Sequence, residues 1–295
     1  MGFFQTLFGG KPSTPEEEKQ EQENKQFDVL KYDGLRALRT GEADFAVKCL
    51  EHALMLQDDM ECREYLSQAY TATGDIDKAC EQMNILIEAQ PDNVALWLRK
   101  AELSYMQDDY NGMGEACEKA LSLDKDNVTA HYLNARACMG QDNMVGAVAM
   151  LTKTISLDET FASAYLLRAQ VLLEAGDVEN AEADIDWLMS NVEPDEDVLV
   201  LKARIEEHKG NNDEALETYG KVIELNPFSA LAFRGRGAIR LKMGDKKGAE
   251  DDMRQLLEIE PTAADDVNGE FTNEHKENIQ QQVEQAYRNS NPYGF

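Results

Sequence analysis

Apolar positions along most of the chain fall at i, i+3, i+4 and i+7, the period of helices with one buried face, and that helical pattern itself recurs every 34 residues. Registers that begin at Phe27, Met60, Val94, Val128, Ala162, Glu196 and Ala230 are 33 residues apart once and 34 thereafter, so seven units fill residues 27–263. At the eighth place of each unit stand Gly34, Ser67, Ala101, Ala135, Ala169, Ala203 and Gly237, all small. The twentieth carries Ala46, Ala79, Met113, Ala147, Ala181, Ala215 and Ala249. Small side chains at two fixed places let two helices approach closely and interlock. Bulkier core places complete the pattern, with Trp97, His131, Tyr165, Leu199 and Phe233 at the fourth and Leu50, Met83, Cys117, Leu151, Ile185, Tyr219 and Met253 at the twenty-fourth.

Between the two small places each unit carries a stop and a start. Place fifteen holds Gly41, Gly74, Asp108, Asp142, Gly176, Gly210 and Gly244, and place sixteen Glu42, Asp75, Asp109, Asn143, Asp177, Asn211 and Asp245. Glycine supplies the left-handed residue that ends one helix, and Asp or Asn accepts an N–H from the opening turn of the next. Pro91, Pro194, Pro227 and Pro261 close the second helices of their units. Each unit is therefore expected to be a helical hairpin.

This period and these residues resemble the tetratricopeptide repeat family over residues 27–263, with Ala162 to Pro194, carrying Tyr165, Ala169, Gly176, Asp177 and Ala181, a clear example. The resemblance implies an all-α, right-handed superhelical solenoid of about seven antiparallel helix-turn-helix units. It also implies that the first helices line a concave groove that holds a peptide segment, and it implies no enzyme. The third and fourth units depart from the pattern: Asp108 and Asp142 replace the turn glycine, and Gly112, Gly114 and Gly146 fall in second helices. A mid-helix glycine costs about 1 kcal/mol relative to alanine, so residues 108–147 are expected to open locally before the rest.

If places four, eight and eleven of a first helix face the core, places five, nine and twelve form a stripe about 100° round the helix, and in the resembled family that stripe faces the groove. It carries Lys31, Leu35 and Leu38; Glu64, Gln68 and Thr71; Leu98, Glu102 and Tyr105; Tyr132, Arg136 and Met139; Leu166, Gln170 and Leu173; Val200, Arg204 and Glu207; and Arg234, Ala238 and Leu241. Leu98, Tyr105, Tyr132, Arg136, Met139, Leu166, Gln170, Leu173, Arg204 and Arg234 are the candidate peptide-groove residues, centred on units three to six. Met and Tyr adapt to a peptide's side chains, and guanidinium groups hold carboxylates by paired hydrogen bonds. Two alternatives stay open: the apolar residues belong to the core or lie under the chain's own tail, and the arginines pair with the chain's own carboxylates. The family's carboxylate clamp, which needs Asn at place nine of one unit and at place six of the next, is incomplete: Lys31 is followed by Leu35, and no place six carries Asn.

Charge narrows the partners. Lys and Arg number 29 against 57 Asp and Glu, a net charge of −28, which disfavours nucleic acid because counterion release needs clustered cations. Cys49, Cys62, Cys80, Cys117 and Cys138 form no C-x-x-C and are expected to be scattered thiols of a reducing, cytoplasmic compartment. No stretch reaches the roughly 20 apolar residues of a bilayer span. His52, His131, His208 and His275 lie outside metal spacings, and the acidic pairs Asp184 with Asp186 and Asp251 with Asp252 read as solvated helix faces. Hence no catalytic residue, metal, cofactor or small-molecule substrate is expected.

The ends differ from the body. Residues 1–10 are an apolar segment with Phe3, Phe4, Leu7 and Phe8, which pack on the chain itself or make peripheral contact with a membrane or a partner. Residues 11–26 read as an acidic flexible tether, 264–288 as a connection and capping helix with Ile279, Val283, Ala286 and Tyr287, and 289–295 as a tail. The resulting expectation is a non-catalytic scaffold or adaptor that binds a protein or peptide partner. The alternatives are a membrane-recruited assembly factor docking through the N-terminus, and an acidic convex face that binds basic clients.

Overall fold

At place fifteen of every unit the backbone turns left-handed, with φ +79° at Gly41 and +82° to +85° at Gly74, Gly176, Gly210 and Gly244, and also +55° at Asp108 and +57° at Asp142. The two aspartates therefore do the work of the glycines they replace, in a region that short polar side chains tolerate better than others. Each of these residues ends a helix. The computed structural model describes residues 14–264, and among them it has α-helices and one short 3₁₀ turn but no strand. The helices are α1 (Pro15–Thr40), α2 (Ala43–Leu56), α3 (Met60–Thr73), α4 (Ile76–Ala89), α5 (Val94–Met106), α6 (Tyr110–Leu123), α7 (Val128–Gly140), α8 (Met144–Leu157), α9 (Ala162–Glu174), α10 (Val178–Asn191), α11 (Glu196–Lys209), α12 (Asn212–Leu225), α13 (Ala230–Lys242) and α14 (Lys246–Ile259). Place sixteen caps the second helices: Asp109, Asp177 and Asp245 accept backbone N–H groups from Gly112, Asn180 and Gly248, and Asn143 accepts from Gly146 at 3.0 Å. Glu42, Asp75 and Asn211 make no such side-chain bond.

The described residues divide into two compact bodies, the first ending at residue 153 and the second beginning at residue 154. In the first, α1 packs on α2, α3 on α4 and α5 on α6 as consecutive hairpins. The small places are buried: Ala46, Ala79, Ala101 and Met113 are fully enclosed. A Cβ at Gly34 would lie 2.7 Å from the Leu50 side chain, so only glycine fits there. Ser67 donates to the Ala79 carbonyl at 3.1 Å and satisfies its buried hydroxyl. In the second body α9 packs on α10, α11 on α12 and α13 on α14, with Ala169, Ala181, Ala203 and Ala215 fully buried. The Tyr165 and Trp187 rings stack there, centroids 3.9 Å apart.

Place four has a second role that hydrophobicity alone did not disclose. Trp97 Nε1 donates to the Pro91 carbonyl at 2.8 Å, Tyr165 Oη to the Glu159 carbonyl at 3.3 Å, and His131 Nε2 lies 3.0 Å from the Lys125 carbonyl. Each ring fills the core and fastens the inter-repeat turn six residues earlier, which satisfies a polar handle that burial would otherwise penalise.

Two expectations are corrected. From Pro15 on, the expected tether is helix: Thr14 accepts from Glu17 N at 3.3 Å while its own N–H donates to the Glu17 carboxylate at 2.7 Å, and Glu21 pairs with Lys25 at i,i+4. A capping box and i,i+4 pairs sustain a solvated helix that continues into the packed part of α1. Asp184 and Asp252 are not solvated; they are 4% and 2% exposed. Arg168 binds Asp184 through two bonds of 2.8 and 2.6 Å, and Asp252 receives Arg236 at 2.6 Å and Arg240 at 2.8 Å. The apolar segment of residues 1–10, the capping helix and the tail lie outside the described residues.

Candidate functional site

In the first body the stripe of α5 and α7 is built around one cation. The Arg136 guanidinium lies over the Tyr105 ring, 3.8 Å from its centroid, and Tyr110 meets Tyr105 edge-on at 6.2 Å. Tyr110 donates its hydroxyl to Asp108 at 3.1 Å. Its ring also lies where a Cβ on Gly140 would sit, 2.2 Å away, so the glycine at the end of α7 makes room for the aromatic pair. Arg136 is half-buried and has no ion pair among the described residues. Stacking fixes the plane of the guanidinium and leaves its edge donors for an incoming carboxylate. Leu98, Tyr132 and Met139 are half-buried on the same helices, and Tyr105 is 39% exposed.

Toward the N-terminus of this body an open cleft of about 470 Å³ is lined by Leu35, Leu38 and Arg39 of α1, Gln68, Thr71 and Ala72 of α3, and Arg99 of α5. Four of these seven belong to the expected stripe. Arg39, Ala72 and Arg99 stand beside it and were missed; two cations next to the stripe of so acidic a chain were the signal available. Lys31, one turn earlier on α1, is engaged elsewhere, bonding Asp59 at 2.9 Å and Glu61 at 2.7 Å. Burial works against its charge, yet these carboxylates hold its proton above the usual lysine range.

The second body treats its candidates unequally. Leu166 and Gln170 are half-buried, and Gln170 donates to Glu174 at 3.2 Å. Leu173 is 2% exposed and presents no surface, a correction to its place in the groove. The apolar arc of α9 is wider at its end than one stripe, so Val171, Leu172 and Leu173 all turn inward. Arg204 is half-buried with no ion pair among the described residues. Arg234 bonds the chain's own Glu260 at 3.1 Å, both about half exposed, which is self-pairing of the kind worth little in water.

Among the described residues no three His, Cys, Asp or Glu side chains gather as a metal site, and no helix is long and apolar enough to cross a membrane. Burial pushes the Cys62 thiol up to about 11 and the Cys117 thiol to about 12, away from the thiolate that a nucleophile requires.

Comparison with known proteins agrees with this architecture. Residues 132–266 match the family model of the tetratricopeptide repeat-like domain. No curated protein matches the sequence. Among solved structures, the type IV pilus biogenesis factor PilW is similar at 19% identity and a TM-score of 0.61, over 76% of this chain and 97% of its own. Pseudomonas aeruginosa pilF is similar at 16% identity and 0.58, over 72% and 96%. YrrB, a repeat protein described as having an unusual peptide-binding site, is similar at 20% identity and 0.52, over 62% and 94%. At such identities the likeness speaks for the fold alone. Residues 132–266 thus match a tetratricopeptide repeat-like domain, and the 34-residue period, the left-handed turn in every unit and the consecutive hairpins carry the same fold over residues 27–263.

Proposed function

We propose that the protein is a non-catalytic adaptor that holds a peptide segment of a partner protein against its first helices. The observation that carries this reading is Arg136, a half-buried guanidinium pinned flat on Tyr105 and without an ion pair among the described residues of a chain with net charge −28. An arginine so held keeps two parallel donors aimed outward at little further entropic cost. Around it Leu98, Tyr132 and Met139 offer apolar and polarizable surface to neighbouring ligand side chains. In the second body Leu166 and Arg204 offer the same pairing of apolar surface and cation. A peptide-binding site described for YrrB lends support by analogy of fold.

The test is the affinity for the native partner, measured by calorimetry on three variants. Arg136→Glu is expected to weaken binding at least about tenfold, the worth of a charge-assisted pair. Tyr132→Asp and Leu166→Asp probe the apolar part in the two bodies separately. Unchanged affinity in all three refutes the proposal.

A further inference from the structure

α1 is the longest helix among the described residues, 26 residues from Pro15 to Thr40, and only its second half is seated in the fold. From Pro15 to Gln26 every residue is exposed except half-buried Glu23, and Phe27 is the first buried side chain. About 18 Å of helix thus stands in solvent, and so short a stretch is marginal in water without a neighbour to pack on.

The seated half is open on one side. Place three of a first helix is buried in every later unit, as Cys62, Leu96, Ala130, Ala164, Val198 and Ala232, whereas Val29 of the first unit is 59% exposed. That place meets the second helix of the preceding unit: the Cys62 thiol lies 3.6 Å from the Leu50 carbonyl of α2. Place six meets it too, since the Tyr219 ring of α12 lies 2.3 Å from where a Cβ on Gly235 of α13 would sit. Its counterpart in the first unit, Tyr32, is 66% exposed. Short connections make each such second helix antiparallel to the first helix it covers. The open face of α1 is therefore one that an antiparallel helix fills elsewhere in the fold.

α1 itself carries the complement of that face. Glu18, Gln22, Lys25, Val29, Tyr32 and Arg36 recur at alternating spacings of four and three, the seam of a coiled coil, and all are exposed. Reversed about Phe27 the seam matches itself: Glu18 meets Arg36, Gln22 meets Tyr32 and Lys25 meets Val29. Charge runs the same way. Residues 15–26 hold five carboxylates against two lysines, and residues 27–40 three cations against two carboxylates, so antiparallel copies attract along the seam and parallel ones repel. The ion pairs already present, Lys25 with Glu21 at 2.6 Å and Arg36 with Asp33 at 2.9 Å, join neighbours on the same helix surface and exchange at little cost.

We infer that two copies of the chain associate through α1, antiparallel about a dyad at the level of Phe27. Residues 15–26 of each copy cover Val29 and Tyr32 of the other, in the place that a preceding unit takes elsewhere. Glu18 pairs with Arg36 at both ends of the seam, Gln22 bonds the Tyr32 hydroxyl, and the methylenes of Lys25 lie on Val29. With so few apolar residues enclosed, the dimer is a weak one, formed at high concentration and loosened by salt.

Sedimentation equilibrium of the full chain under reducing conditions, taken up to about 1 mM, is the test. The unaltered chain is expected to show a monomer–dimer equilibrium. Glu18→Arg and Arg36→Glu are each expected to weaken it about tenfold or more, because each sets like charges against one another at both ends of the seam. Mixing the two variants restores association, as does combining both changes in one chain, since either arrangement again places every cation opposite a carboxylate. An unchanged helical spectrum in each variant confines the comparison to the interface. A chain that stays monomeric throughout, a dimer that survives both Arg36→Glu and Tyr32→Asp, or single variants that mixing does not rescue overturn the inference. In a chain that stays monomeric, a lower melting temperature for Tyr32→Asp assigns the face to residues 1–13 of the same chain instead.

Discussion

Arg168 grips Asp184 with two hydrogen bonds, Nε to Oδ2 at 2.8 Å and Nη2 to Oδ1 at 2.6 Å, and so ties α9 to α10 within one hairpin. Counting side chains alone, Asp184 is 6% exposed and Arg168 18%. A buried pair of this kind is expensive to break and cheap to replace whole, because a single truncation strands the other charge out of water. Asp184→Ala is expected to lower stability by about 3–5 kcal/mol, whereas Arg168→Met with Asp184→Leu costs about 1 kcal/mol or less. Urea denaturation of the three proteins decides it; equal losses in the single and double variants contradict this account.

The left-handed aspartates differ from each other in what glycine would bring. Asp142, at φ +57°, gains relief of strain, and Asp142→Gly is expected to raise stability by roughly 0.5–1 kcal/mol. Asp108→Gly gains less, since Asp108 also accepts the Tyr110 hydroxyl. Thermal melts rank the two, and a loss of stability in Asp142→Gly is the adverse outcome. Hydrogen exchange on the same proteins reports whether residues 108–147 open before the rest, and protection equal to that of residues 165–220 removes that expectation.

Glycines that receive aromatic rings tolerate no side chain. A Cβ at Gly140 would lie 2.2 Å from the Tyr110 ring, and one at Gly235 2.3 Å from Tyr219, which is 2% exposed. Gly235→Ala is expected to cost about 1–3 kcal/mol by overpacking. Gly140→Ala displaces Tyr110 and, through Tyr105, unseats Arg136. Its diagnostic is a weakened affinity for the partner without loss of helix; intact binding argues against the aromatic chain as a positioning device.

Thiol titration gives the alkaline limit. Burial holds Cys62 neutral to about pH 11 and Cys117 to about pH 12, while in the unfolded chain thiols ionise near 8.5. Between those values the unfolded state sheds protons that the folded state retains, so stability is fully present below about pH 8.5 and declines as pH rises above it. Denaturation midpoints at pH 8 and pH 10 report this decline, and Cys62→Ala combined with Cys117→Ala flattens it. Alkylation at pH 8 is expected to mark the partly exposed Cys80 and Cys138 before Cys49, Cys62 and Cys117; the reverse order runs against the assigned burial.

Much of the fold was legible because a repeat states each rule seven times. Small residues at places eight and twenty and a turn at fifteen located the hairpins, and even the two exceptions, Asp108 and Asp142, hold the conformation of the glycines they replace. What escaped depended on partners distant in sequence or on surfaces without apolar content. Asp184 and Asp252 read as surface because their arginines stand across the hairpin, Arg168 and Arg236 sixteen residues earlier and Arg240 twelve. The helix of residues 15–26 carries no apolar stripe and rests on capping and i,i+4 pairs. Of the groove candidates, Arg136 stacks on Tyr105, Leu173 is core and Arg234 is self-paired. The cleft escaped because Arg39 and Arg99 are one place off the stripe, where long side chains still reach it.

The most direct test of the adaptor reading is site-specific photo-crosslinking in the native cell, with the reactive amino acid placed at Tyr105 on the first-helix face or at Glu118, exposed on the second helix α6. A partner adduct formed from Tyr105, lost on adding Arg136→Glu and absent from Glu118, is the predicted result. Adducts from Glu118 with none from Tyr105 would contradict it.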